Sequence, residues 1–267
     1  MQANNIFDPQ RFGFYLRKHL SESIRFYLLS TLAITALLAF VPATMQIKGN
    51  EGGSLNQLVP FYYIGLFVVG LMFTARSFSE LGHKEKGVDF LMLPASQFEK
   101  YLTALLITSV GFLAVYHVCA YTAFWLVDTL RYSLHGTHII KDWSFFSTKD
   151  GHIYLYYAFI FQHAMFLLGA TFFHKYGYIK TTLAIPVVFI LLALINVLFA
   201  NILFGSHLWN HGAAVPFVLV NVNNQLQGGT VYLIPESMQH VYIFAAKYLL
   251  APIIWVLAYF RLKDKEI

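Results

Sequence analysis

The side chains with the widest chemical reach in this 267-residue chain are its eleven histidines. Imidazoles gathered on one face would hold zinc or iron, and the closest pairs are His135 with His138 and His207 with His211. A di-iron oxidase needs several dense histidine boxes, and none is present; two pairs in loops offer a weak site at most. Nucleophilic catalysis lacks its motif too, since no strained G-x-S-x-G turn occurs. The single Cys119 lies in an apolar run, which excludes an internal disulfide and a site built from several thiolates. A phosphate-binding loop of the form G-x-x-x-x-G-K-[ST] is also missing. No catalytic residue, metal ligand or directly bound cofactor is therefore assigned, and an enzyme is not the expected class.

The elements that would position any chemistry are set by hydrophobicity. The chain is 58% hydrophobic and 12% charged, with a mean hydropathy of +0.58, far from the balance of a soluble domain. Six runs approach the roughly 20 residues that carry a helix across a hydrocarbon core about 30 Å thick. They lie near Phe26 to Met45, Val59 to Phe78, Leu102 to Leu130, Ile153 to Phe173, Thr182 to Phe204 and Val241 to Phe260. The runs are continuously apolar instead of alternating, which argues against a β-barrel. The expected fold is all-α: one polytopic membrane domain over residues 1–267, with six transmembrane helices.

Lysine and arginine give the orientation, because both are retained near span ends on the cytoplasmic side. With the N-terminus inside, thirteen fall inside: Arg11, Arg17, Lys18, Arg25, Arg76, Lys84, Lys86, Lys100, Lys175, Lys180, Arg261, Lys263 and Lys265. Four fall outside, Lys48, Arg131, Lys141 and Lys149, with Lys247 left in a span. Both termini are expected in the cytoplasm. The net charge of +5 follows from this bias and needs no nucleic-acid partner. The first twenty residues carry several charges and no apolar core of the right length for a cleavable signal peptide.

Asp8-Pro9 is a helix start, with a side-chain acceptor at the cap and a proline at the first helical position. Phe12, Tyr15, Leu16, His19 and Leu20 then recur at helical spacing, so an amphipathic helix over 8–22 is expected in the interface before the chain enters the bilayer. It reads equally as a surface anchor or as a mechanical element.

Between the second and third spans lies a charged connector, Arg76 to Tyr101. Ser77 with Glu80, and Ser96 with Glu99, have the S-x-x-E spacing of a capping box. One short helix is expected from about Phe78 to a stop at Gly87. A second should start at Ser96, after Pro94 has disfavoured helix in the residue before it, and continue into the third span.

The connector resembles that of type-two export permeases of ATP-binding-cassette transporters. The shared phrase is F-x-E-L-x-x-K-x-x-G-x-x-x-L-x-L-P-A-S-x-x-E-K, carried here by Phe78, Glu80, Leu81, Lys84, Gly87, Leu91, Leu93, Pro94, Ala95, Ser96, Glu99 and Lys100. The resemblance extends to the span count and the leading amphipathic helix. It implies that the connector couples to a separate nucleotide-binding ATPase subunit through Phe78, Glu80, Leu81, Lys84, Lys86 and Gly87. It also implies that ATP and magnesium sit on that partner, and that two permease chains, as homodimer or heterodimer, enclose the path. The expected compartment is a bacterial inner membrane. A stand-alone scramblase or an accessory membrane subunit, with the connector a plain interfacial loop, is the alternative.

Ionisable groups inside a bilayer are costly and mark functional hypotheses. Lys247 and Asp128 could pair at comparable depth and gate a path or select an anionic headgroup, or Lys247 could snorkel to the surface. Asn196, Asn201, Gln162 and His163 either line that path or bond across helices as packing glue. The segment 205–239 has no lysine or arginine; its apolar stretches are too short to span and are expected to be re-entrant, interfacial or packed on neighbouring helices.

Overall fold

The computed structural model describes residues 6–47, 58–82, 87–88, 92–140, 152–204, 214–215, 219–224, 228–233 and 235–264. Six helices are long and apolar enough to cross a membrane, and the architecture is that of an all-α polytopic membrane protein. In chain order they are α1 (Pro9–Ile47), α2 (Leu58–Ala75), α3 (Gln97–His135), α4 (His152–Phe172), α5 (Gly177–Phe204) and α6 (Glu236–Lys263). Each covers most of its expected apolar run; α2 and α4 stop short of Phe78 and Phe173, and α1 starts well before Phe26.

α1 begins where the sequence places it. Asp8 Oδ1 accepts from the amides of Gln10 at 2.8 Å and Arg11 at 3.3 Å, so the cap satisfies donors that the helix leaves open. The amphipathic stretch is not a separate helix, however. It runs without a break into the first span, because residues 21–25 contain neither glycine nor proline to end it. At about 1.5 Å per residue, the 39 residues of α1 extend about 58 Å, almost twice the hydrocarbon core. With their apolar runs starting at Phe26 and Leu102, α1 from Arg11 to Arg25 and the first turn of α3 are length beyond what crossing the core needs. Within α3, residues Ile107–Gly111 form a π turn, and α6 has another at Ala245–Leu249. π turns of this kind often mark functional places in helices.

The chain divides into two compact units. The first holds Met1–Tyr178 and Trp255–Ile267; the second holds Ile179–Ile254. In the first, α1 lies along the later part of α3, and α2 packs against α4. Its core near the connector is Phe78, Tyr101, Leu167, Ala170, Ala258 and Leu262.

In the second unit, the segment between α5 and α6 contains a small antiparallel sheet that the apolar pattern does not foretell. Its strands β1 (Ala214–Val215), β2 (Leu219–Asn224) and β3 (Gly228–Leu233) lie side by side in chain order. Leu219 pairs with Leu233 and Asn224 with Gly228.

Candidate functional site

The connector is anchored from within. Phe78 is 1% exposed, and its ring stacks on Tyr101 with centroids 6.4 Å apart and planes 7° from parallel. The Tyr101 hydroxyl donates to the Trp255 carbonyl at 2.6 Å, so the tail of α6 is tied to the same anchor. Leu81 packs on this cluster. Phe78 and Leu81 thus hold the connector to the bundle, and Phe78 offers no surface to a partner. At Gly82 a Cβ would meet His174 Cβ at 3.0 Å and the His174 carbonyl oxygen at 3.2 Å. Glycine lets the connector pass that close to the loop after α4.

The first expected capping box does not form. Ser77 Oγ donates back to the Thr74 carbonyl at 2.8 Å instead of receiving the Glu80 amide. A serine at the end of a helix has free carbonyls behind it, and here these win. The chain then makes one short 3-10 turn, Ser79–Gly82. Gly87 and Val88 are helical, so Gly87 is not a stop. Lys84, Lys86 and Leu91 lie outside the described residues.

The second box is complete. Ser96 Oγ accepts from the Glu99 amide at 3.2 Å, and the Ser96 amide donates to Glu99 Oε2 at 2.9 Å. Pro94 lies just outside this cap, and a turn closes from the Ala95 amide to the Leu93 carbonyl at 2.7 Å. Glu99 does more than cap. Its side chain is fully buried and receives Arg11 Nε at 2.7 Å and Nη2 at 2.8 Å. The Asp8 amide also donates to it at 2.8 Å, while Ser96 Oγ donates to the Ile6 carbonyl. The start of α1 is thereby fastened to the start of α3. Burial pushes the Glu99 carboxyl up, but the Arg11 guanidinium and the Asp8 and Ser96 amides outweigh it. The net result is a carboxyl held below its ordinary range. In the sequence Arg11 is only a topological charge, and nothing local to Glu99 points 88 residues back to it.

Next to this fastening, a cleft of about 360 Å³ opens between the beginnings of α1 and α3 and the end of α2. Glu80 and Lys100 both line it, Lys100 being 2% exposed. His19 lines it too; burial lowers its pKa, and Glu80 and Glu22 pull in the opposite direction.

Each intramembrane candidate has its own local setting. Asp128 Oδ1 accepts the Ile139 and Ile140 amides at 2.7 and 3.0 Å, and Oδ2 bonds His138 Nδ1 at 2.8 Å. This carboxylate thus caps the chain beyond α3, where His138 also stacks on Tyr132. Lys247 sits in the π turn of α6, in the second unit. His163 is buried and bonds Thr108 Oγ1 of the α3 π turn through Nε2 at 3.0 Å, with Trp255 edge-on at 6.0 Å. This is the cross-helix bond of the packing reading. Gln162, its neighbour on α4, is half-buried. Asn196 on α5 has an amide nitrogen without a partner among the described residues. The Asn201 side chain lies outside the described residues, as do His207, His211 and Lys141.

A polar knot with no signature in the sequence joins α2, α3 and α4. The Tyr62 hydroxyl lies 3.0 Å from His117 Nε2 and 2.9 Å from the Tyr156 hydroxyl. His117 Nδ1 is 2.7 Å from the Leu113 carbonyl. That carbonyl can only accept, so Nδ1 carries the proton and Nε2 accepts from tyrosine. The Tyr116 hydroxyl donates to the Tyr62 carbonyl at 2.6 Å. Aromatic residues on three separate apolar runs give no spacing from which this knot could be read.

Comparison of the chain with protein-family models, with curated proteins and with solved structures returned no match.

Proposed function

We propose that this chain is the membrane-embedded permease subunit of an ATP-binding-cassette exporter, powered by a separate ATPase subunit and working with a second permease chain. The observation that carries the reading is the two-sided build of the connector. Phe78, Leu81 and Glu99 fix it to the bundle from inside, while Glu80, Val88 and Met92 face outward, Val88 at 54% and Met92 at 79% exposure. On that outer side Val88 and Met92 are apolar side chains open to a partner surface. A force on Glu80 would pass through Phe78 into Tyr101 and α3, and through Tyr101 into the tail of α6. The phrase from Phe78 to Lys100 and the six spans support the same reading. ATP and magnesium would sit on the partner. A lipid-like, drug or peptide substrate would leave the cytoplasm or the inner leaflet of a bacterial inner membrane, with both termini of this chain cytoplasmic.

The stand-alone scramblase or accessory subunit is the second reading. It is favoured by the inward burial of Phe78, Glu99 and Lys100, which would serve an uncoupled bundle equally well. The discriminating experiment replaces Glu80 and Lys84 with alanine in a chain purified with its ATPase. Assembly is expected to persist while stimulation of ATP hydrolysis by substrate is lost; unchanged stimulation would refute a coupling role for the connector.

A further inference from the structure

Two cavities of unlike character share a wall in the first unit. The cleft of about 360 Å³ carries two carboxylates, Glu22 and Glu80, and two cations, Arg76 and Lys100. Thr103, also on its lining, is almost completely buried, and its hydroxyl has no hydrogen-bond partner among the described residues. The second cavity is a groove of about 510 Å³ with a nearly all-apolar lining. It runs beside α1 from Leu20 to Leu37, about 25 Å along the helix, with Met72 of α2 and Val115 of α3 on the facing walls. Phe26, Tyr27, Phe73, Arg76 and Ile107 line both. Each volume is in the range of sites that enclose a small ligand. Arg76 stands at the junction, its guanidinium 5.0 Å from the Phe26 ring centroid, and it makes no ion pair among the described residues.

A cleft bearing both signs of charge, joined through an arginine to an apolar groove, matches a zwitterionic head on a hydrocarbon tail. We propose that cleft and groove together bind one phospholipid with a zwitterionic, amine-bearing headgroup. Its phosphate meets Arg76, its ammonium faces Glu80, with Glu22 of the same cleft already approached by Lys18 at 3.7 Å, and one acyl chain fills the groove. The guanidinium fork fits a phosphate bidentately, and Lys100 lines the same cleft. A purely anionic lipid would bring no cation to Glu80, so the same cleft discriminates against it. This inference goes beyond the exporter reading and does not rest on ATP coupling, because a scramblase would need the same site.

The test is native mass spectrometry of the purified chain titrated with phosphatidylethanolamine, phosphatidylglycerol or glycerophosphoethanolamine, the headgroup without chains. One phosphatidylethanolamine is expected to bind in preference to phosphatidylglycerol, with glycerophosphoethanolamine at least about tenfold weaker. Arg76→Gln should weaken the bound lipid about tenfold, the scale of one charge-assisted hydrogen bond. Glu80→Gln, at an exposed position that folding tolerates, should erase the preference over phosphatidylglycerol, and it serves if Arg76→Gln does not fold. Equal binding of both lipids, a preference for phosphatidylglycerol, headgroup binding as tight as that of the lipid, or native affinity in a folded Arg76→Gln would each overturn the proposal.

Discussion

Replacing Ser96 with alanine probes the fastening between α1 and α3 at its smallest element. The change removes two hydrogen bonds and leaves the buried Glu99 in place. The Glu99 amide loses its acceptor, the loss of an N-cap, which costs about 1 kcal/mol. The bond from Ser96 Oγ to the Ile6 carbonyl also goes; being solvent-accessible, it is worth about 0.5–1 kcal/mol. The expected destabilisation is about 1.5–2 kcal/mol, a fall in Tm of about 3–8 °C for a chain of this size. The assay is tryptophan-monitored thermal unfolding in detergent, at one scan rate because membrane proteins often unfold irreversibly. Limited proteolysis should also cut sooner before Asp8, where the tie to Ile6 is lost. Ser21→Ala is the control, since Ser21 is exposed and bonds only back to the Lys18 carbonyl of its own turn; it should stay within about 0.5 kcal/mol. A Ser96→Ala chain that melts within about 1 °C of the native one, with unchanged cleavage, would refute the fastening.

Other places in the fold carry four further expected outcomes. Glu99 is held below the ordinary carboxylate range, so it stays ionised to lower pH in the folded chain than in the unfolded one. Its contribution is whole above the unfolded value of about 4.3 and is lost as pH falls through the folded value. Glu99→Gln should therefore melt lower than the native chain at pH 7, with the gap closing only as pH falls below about 4.3; a gap that stays constant from pH 7 down to acid unfolding would contradict this. At Gly70 a Cβ would lie 2.7 Å from Phe159 and 2.8 Å from Phe112, both buried rings, so Gly70→Ala is expected to cost about 1–3 kcal/mol. Gly13→Ala meets nothing within 4 Å in a helix interior and should stabilise by about 0.5–1 kcal/mol; thermal melts separate the two. Tyr62→Phe removes the hydroxyl shared by His117 and Tyr156 but leaves the Tyr62 carbonyl to Tyr116, a loss of about 1 kcal/mol in the same melts.

The parts of the structure legible in the sequence are those whose physics is local. Each span is a run of about twenty apolar side chains, and Asp8 and Ser96 place acceptors where helix starts need them. The false cap at Ser77 shows the limit of spacing alone. Its hydroxyl has a carbonyl of the preceding turn within reach, and the S-x-x-E pattern says nothing about which neighbour is nearer. Arg11 with Glu99, and Tyr62 with His117 and Tyr156, unite residues from separate helices, so no pattern in one segment carries them. The sheet between α5 and α6 is hidden because β2 and β3 are six residues each, too short to tell apart from an interfacial stretch by hydrophobicity.

The most direct test of the central claim is affinity purification of the tagged chain from gently solubilised membranes, with companions identified and assayed for ATP hydrolysis. The exporter account expects a stoichiometric ATPase whose association or stimulation is lost when residues 80–86 are replaced. A clean homo-oligomer with no ATPase, or an ATPase indifferent to those residues, would contradict it.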